Sequence, residues 1–167
     1  MRILTILALT LGFALSNADA AELKWKKYEN GRFGFVLTYP ETLIGSREPV
    51  NGSGREFHSA DKEFSVATSA HFFAQDGEDS FEKRWEEELE IPDVTITYKK
   101  KTPNWYVVSG VTKSGTEYYH KLYQKGQNWV ALHITYPHAK NKKYDPWVTR
   151  IEKSFIPFQE GDFDRIE

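Results

Sequence analysis

The chain has 167 residues, no cysteine and a formal net charge of −2 at pH 7. A chain without cysteine has no disulfide, no thiolate ligand for zinc and no thiol nucleophile. The near-neutral charge gives no electrostatic basis for binding nucleic acid, and an aromatic content of 15% favours a folded, sheet-rich protein.

The first twenty residues have the features of a secretory signal peptide. Met1-Arg2 gives a positive start, residues 3–15 form a short apolar run, and Ala18-Asp19-Ala20 fits a signal-peptidase site. The run is too short to span a bilayer, which takes roughly 20 residues. We therefore expect cleavage near Ala20 and a periplasmic or secreted protein with no membrane span. A single domain over residues 21–158 and a loose acidic tail over 159–167 would then remain.

Turn signals divide the first half of the expected domain into strands. The predicted strands cover residues 24–28, 33–39, 55–59 and 64–73. In the last of these, apolar residues occur on both alternating faces. This pattern predicts a sheet that is covered on both sides.

A first amphipathic helix is predicted over residues 80–90. Asp79 is the expected N-cap, with Glu82 as its capping-box partner. The apolar stripe repeats every four residues, at Phe81, Trp85 and Leu89. The neighbouring acidic run, residues 86–88, is expected to form the solvated face.

A second helix is predicted to begin at Asp145-Pro146, with aspartate as N-cap and proline in the first helical position. Its buried stripe consists of Trp147, Val148, Ile151 and Phe155. Between the two helices, residues 94–137 read as four short strands joined by tight turns. The order β-β-β-β-α-β-β-β-β-α predicts an α+β fold with helices packed on an antiparallel sheet.

Two-residue hairpin loops in this four-stranded region would align polar side chains in one row. Tyr98 would face Ser109, Ser109 would face His120, and His120 would face His133. Directly opposed residues have Cβ atoms about 4.5–5.5 Å apart. The row is therefore either a ligand-binding site or a hydrogen-bonded polar row beneath a helix.

A metal- or ligand-dependent hydrolase using Ser109, His120 and His133 is the alternative function. Two observations oppose it. No histidine pair has a metal-binding spacing, and Ser109 lies in V-V-S-G-V rather than in a nucleophile elbow. We expect no catalytic set, no metal and no cofactor.

Other candidate surface features are aromatic or basic. In the same register, Trp105 and Trp129 share one face at the strand ends, either in the core or at the mouth of a groove. Lysines at residues 99–101 and at residues 140, 142 and 143 are either solvated charges or a patch for an acidic partner.

Several short motifs resemble bacterial exported proteins of the PsbP-like (Mog-type) superfamily. They are Phe33-Gly34-Phe35 with Tyr39-Pro40, Ser109-Gly110 and Ser154-Phe155, and the resemblance covers roughly residues 24–158. It implies an α/β/α sandwich with a central antiparallel sheet. It also implies an accessory, adaptor or partner-binding role, with no shared catalytic constellation.

The resulting hypothesis is a non-catalytic periplasmic protein that binds a small ligand or a protein partner in the bacterial envelope. A purely structural domain that associates through an edge strand is a further alternative. The ligand-binding candidates are Tyr98, Ser109, His120, His133, Trp105 and Trp129.

Overall fold

The structure is a computed structural model that describes residues 23–74 and 78–159. The predicted signal peptide, and all of the predicted acidic tail except Gln159, lie outside the described residues. Within those two ranges, no helix is both long enough and apolar enough to cross a membrane.

The described residues form strands and helices in nearly the predicted order. One short strand, Ile44–Gly45, was not predicted. The elements are β1 (Trp25–Glu29), β2 (Val36–Pro40), β3 (Ile44–Gly45), β4 (Gly54–His58), β5 (Ser65–Phe72), α1 (Phe81–Leu89), β6 (Val94–Lys101), β7 (Trp105–Thr112), β8 (Thr116–Lys125), β9 (Asn128–Pro137), a 3-10 turn (His138–Lys140) and α2 (Asn141–Ser154).

Seven strands form one antiparallel sheet in the order β3-β4-β5-β9-β8-β7-β6. β1 and β2 form a separate antiparallel hairpin. The predicted four-stranded region, β6 to β9, makes up one side of the sheet. β6 lies at its outer edge.

The two helices cover opposite faces of this sheet, because successive strand side chains point to opposite sides. Even-numbered residues of β9, such as Leu132 and Ile134, pack with Tyr144 and Ile151 of α2 and with the β1–β2 hairpin. Odd-numbered residues, such as Ala131, pack with α1. We call these the α2 face and the α1 face. The predicted α+β fold with a covered antiparallel sheet is confirmed.

Helix α1 begins one residue later than predicted, and its cap is different. Ser80, not Asp79, is the N-cap, and its hydroxyl accepts a hydrogen bond from the Lys83 amide at 3.2 Å. Asp79 instead accepts two hydrogen bonds from Arg84, at 2.6 and 2.8 Å. The guanidinium of Arg84, five residues further along, thus holds the Asp79 carboxylate in a contact other than capping.

Helix α2 begins at Asn141, five residues before the predicted first helical residue, Pro146. Tyr144 is fully buried, with ring centroids 5.1 Å from Phe64 and 5.3 Å from Trp147. Burying this ring brings the preceding turn into the helix. Asp145 is free of a capping role and accepts a hydrogen bond from the Tyr136 hydroxyl at 2.8 Å.

Candidate functional site

The turn between β7 and β8 sets the register of the polar candidates. It is a three-residue loop, Lys113-Ser114-Gly115, in which Gly115 has a φ of +83° and its amide donates to the Thr112 carbonyl at 2.9 Å. A glycine with positive φ at the third position is typical of such loops. Ser109 consequently faces Tyr119, and Val108 faces His120. The predicted Ser109–His120 pair is wrong by one residue.

The loop contains one residue more than predicted. This shift in register divides the predicted polar row between the two faces of the sheet. The pairs Tyr98–Ser109 and His120–His133 are confirmed. The first pair lies on the α2 face and the second on the α1 face. The hydroxyl of Ser109 is therefore separated from both imidazoles by the sheet, so these residues do not form a hydrolytic set.

Trp105 and Trp129 are separated in the same way, and the prediction that they share a face is wrong. Trp129 is buried on the α1 face, where the Arg84 guanidinium lies 4.1 Å from its ring centroid. Trp105 faces Tyr123 on the α2 face. Trp129 is thus a core residue, whereas Trp105 lines a cleft.

On the α1 face, His120 and His133 belong to a group that we call the acid–histidine cluster, together with Glu88 and Tyr118. Glu88 Oε2 lies 2.5 Å from Nδ1 of His120, and Glu88 Oε1 accepts a hydrogen bond from the Tyr118 hydroxyl. The His133 ring centroid lies 4.9 Å from that of Tyr118 and 5.9 Å from that of His120. Helix α1 therefore places one carboxylate over two histidines.

Burial and close contacts shift the ionisation of this cluster. Burial alone would raise the pKa of Glu88, but the contact with His120 and the hydrogen bond from Tyr118 outweigh it and lower that pKa. Burial, assisted by His120, lowers the pKa of His133 from 6.5 to about 4. Burial and the bond to Glu88 raise the pKa of Tyr118. The cluster thus combines an ionised carboxylate with a neutral His133 near pH 7.

The burial of the acid–histidine cluster favours a role in attaching helix α1 to the sheet over a role in binding a ligand. The side chains of Glu88 and His120 are only 9% and 17% exposed, and His133 Nε2 is buried without a hydrogen-bond partner. In the described ranges, no group of three or more histidine or acidic side chains could hold a metal ion. A ligand-binding role for His120 and His133 stays a prediction.

On the α2 face, a cleft of about 290 Å³ lies between α2 and the outer strands. We call it the aromatic cleft. It is lined by Tyr98, Lys100, Trp105, Val107, Tyr119, Lys121, Val148, Thr149 and Glu152. Tyr98 is 53% exposed, which is high for a large aromatic side chain. The cleft therefore brings together two of the predicted candidates, Tyr98 and Trp105.

The cleft also contains a partly buried ion pair. Lys121 Nζ lies 2.7 Å from Glu152 Oε1 and 4.4 Å from the Trp105 ring centroid. Burial opposes the charge of Lys121, but hydrogen bonds with Glu152 and Tyr123 outweigh it and raise the pKa of Lys121. Lys100 Nζ lies 5.6 Å from the same Trp105 ring. Trp105 thus has two cations as neighbours, and one of them has a carboxylate partner.

Sequence reasoning missed two acidic residues of these sites, and both had a detectable signal. Glu88 was assigned to the solvated face of α1, but it is buried. It follows Phe81 by seven residues and Trp85 by three, so it lies on the apolar stripe. Glu152 follows Val148 by four residues, which places it beside the buried stripe of α2.

Comparison with known proteins gives similarity in structure alone. No family model and no curated protein matches the chain. The chain is similar to a cyanobacterial PsbP from Synechocystis sp. PCC 6803, with a TM-score of 0.59 and 9% identity over 87% of this chain and 99% of that one.

Two further solved structures are similar at lower scores. A Bacteroides thetaiotaomicron protein has a TM-score of 0.49 and 18% identity, over 81% of this chain and 49% of that one. A Pseudomonas aeruginosa protein of unknown function has a TM-score of 0.48 and 12% identity, over 81% of this chain and 98% of that one. The similarity to the cyanobacterial protein and the antiparallel sheet between two helices show that the chain has a PsbP-like fold.

Proposed function

We propose that the protein is a non-catalytic accessory protein of the PsbP-like (Mog-type) superfamily that binds a partner protein or small ligand in the aromatic cleft. It acts in the periplasm after removal of its signal peptide. The observation that carries this proposal is the aromatic cleft itself. There, Tyr98 remains exposed beside Trp105 and an ion pair.

The composition of the cleft supports binding. Tyrosine and tryptophan supply large contact areas at a small cost in side-chain entropy, and both are enriched where proteins bind other molecules. α2 covers the neighbouring sheet residues but leaves the Tyr98 ring accessible. A ligand that packs against this ring would bury apolar surface that the free protein leaves in water.

The separation of the polar candidates supports a non-catalytic role. A serine nucleophile needs a base within hydrogen-bond reach. The histidines of the acid–histidine cluster lie on the α1 face, and Ser109 lies on the α2 face. Because Ser109 and the two histidines lie on opposite faces, the hydrolase alternative lacks a serine within reach of a histidine base.

The test compares species captured from an envelope extract by the wild-type protein and by two single variants. Tyr98→Ala removes the exposed ring of the cleft. Phe72→Ala is the matched control, because Phe72 is 49% exposed on β5, away from the cleft. We expect mass spectrometry to show a species that Tyr98→Ala loses and Phe72→Ala retains. No retained species across a range of salt concentrations, or equal retention by Tyr98→Ala, would overturn the proposal.

A further inference from the structure

The outer edge of β6 has unpaired backbone. In the described part of the chain, β6 pairs with β7 and with no other strand. Six of its eight residues are exposed. The backbone N–H and C=O groups along an outer edge are available to pair with an added strand. The edge is thus open to an extended segment from another molecule.

This edge carries an uncompensated positive charge. Residues 99–101 are three consecutive lysines. Lys101 lies 3.8 Å from Glu82, while Lys99 and Lys100 form no ion pair within the described ranges. Lys100 points into the aromatic cleft, where its Nζ approaches Trp105. An acidic segment would therefore find cations on both faces of the edge, because Lys99 and Lys100 alternate.

We propose that β6 accepts an extended acidic segment of a partner protein as an additional strand, along residues 98–101. This inference rests on the proposed binding role of the aromatic cleft and names its partner. Backbone hydrogen bonds to the edge would supply affinity, and side-chain contacts on alternate positions would supply specificity. On the cleft face, an acidic side chain would pair with Lys100 and an apolar one would pack on Tyr98.

The charge of the edge argues against a second copy of the chain as the occupant. Pairing β6 with another β6 would bring two lysine clusters side by side, and like charges on neighbouring strands are destabilising. The irregular register between Ile96 and Tyr98 also interrupts the ladder, as bulges at sheet edges commonly do. Because of this bulge, we expect an added strand to pair with β6 from Tyr98 onward and not with the residues before it.

The test measures binding of fluorescent eight-residue peptides to the purified protein by anisotropy. The first peptide repeats Glu-Glu-Val-Val, so that each face of the extended peptide carries both glutamate and valine, and the second replaces glutamate with lysine. The third is the acidic peptide with every backbone nitrogen methylated, which removes the donors of both edges and blocks strand pairing. The proteins are the wild type, the double variant Lys99→Glu/Lys100→Glu, and Lys142→Glu as a control with an exposed lysine on α2.

We expect the acidic peptide to bind at least about tenfold more tightly than the other two peptides. The double variant should lose this binding and Lys142→Glu should keep it. Binding should weaken as salt is added, because the lysines are exposed. Equal binding of the methylated peptide would show a purely ionic contact and overturn strand addition.

Two other outcomes would also overturn the inference. The first is that none of the three peptides binds. It would leave the broader proposal standing if a captured species still depended on Tyr98. Concentration-dependent dimerisation of the wild type, abolished by Lys99→Glu/Lys100→Glu, is the other, because it would make a second copy the occupant.

Discussion

Glu88 of α1 contacts His120 of β8 at 2.5 Å, in a position where both side chains are largely removed from water. The same carboxylate accepts a hydrogen bond from Tyr118. These contacts join the helix to the sheet beside the apolar packing of Phe81, Trp85 and Leu89. The attachment of α1 to the sheet therefore depends on one ionised side chain, Glu88, as well as on hydrophobic burial.

Replacing Glu88 with alanine is expected to lower the free energy of unfolding by about 1–3 kcal/mol, because buried polar partners lose their acceptor. Urea denaturation measures the change. Glu86→Ala is the matched control, since Glu86 is an exposed residue of the same helix, and it should change stability by less than about 0.5 kcal/mol. Equal effects of the two substitutions would show that the acid–histidine cluster contributes nothing specific.

Acid should destabilise the fold through His133. The pKa of this residue is about 4 in the folded protein and 6.5 in the absence of burial. Between these values the unfolded chain binds a proton that the folded chain does not, so stability falls as pH decreases. The full effect corresponds to roughly 3 kcal/mol. Burial and His120 lower the pKa of His133, whereas the carboxylates of Glu88 and Glu56 oppose this shift. The Tyr118 ring packs beside the imidazole.

The measurement is urea denaturation of the wild type and His133→Gln at about pH 7.5 and about pH 4.5. The variant should lose less stability between the two pH values than the wild type does. His138→Gln is the control, because His138 is exposed and contacts Glu117. A decline that is as steep in His133→Gln as in the wild type would assign the effect to other groups.

Gly110→Ala should destabilise the protein at the junction of β6 and β7. A Cβ at this position would lie 2.3 Å from the carbonyl oxygen of Thr95 on the neighbouring strand. Relieving this overlap requires backbone movement, which costs about 1–3 kcal/mol in a packed region. Thermal or urea unfolding measures the loss. Gly31→Ala meets no atom within 4 Å and should be nearly neutral, so comparable losses in both variants would contradict the steric explanation.

The protein isolated from its native compartment is expected to begin near Ala21. N-terminal sequencing of the mature chain and fractionation of the cells test this directly. Leu9→Arg places a charge in the apolar run and should keep the precursor unprocessed. Thr5→Ser is a conservative control within the leader. An intact Met1 on the protein in the periplasmic fraction would contradict cleavage.

Turn signals and residue patterning were enough to predict six of the seven strands of the sheet, but not the two-residue strand β3. The pairing of His120 with His133 also followed from a two-residue turn at Gly126-Gln127, which the structure contains. The order of strands in the sheet did not follow. β5 pairs with β9, whose paired residues lie 56 to 70 positions further along the chain, and no local pattern specifies that contact.

The site was predicted less well than the fold because it depends on single-residue details. Lys113-Ser114-Gly115 is compatible with a two-residue or a three-residue loop, and the choice decides which face Ser109 occupies. Glu88 stands among other acids, so composition suggested solvent while its position on the stripe indicated burial. Tyr98 and Trp105 were chosen from the sequence, but their neighbours Lys121 and Glu152 come together only through α2 packing on the sheet.

The extra residue in the β7–β8 loop affects how the acid–histidine cluster and the aromatic cleft respond to substitutions. It places the titrating groups and the exposed aromatic rings in separate layers, with the backbone of the sheet between them. Free-energy effects of substitutions that share no contacts usually add. Substitutions in the acid–histidine cluster can therefore weaken or strengthen the attachment of α1 while the contacts that the aromatic cleft offers to a ligand stay the same.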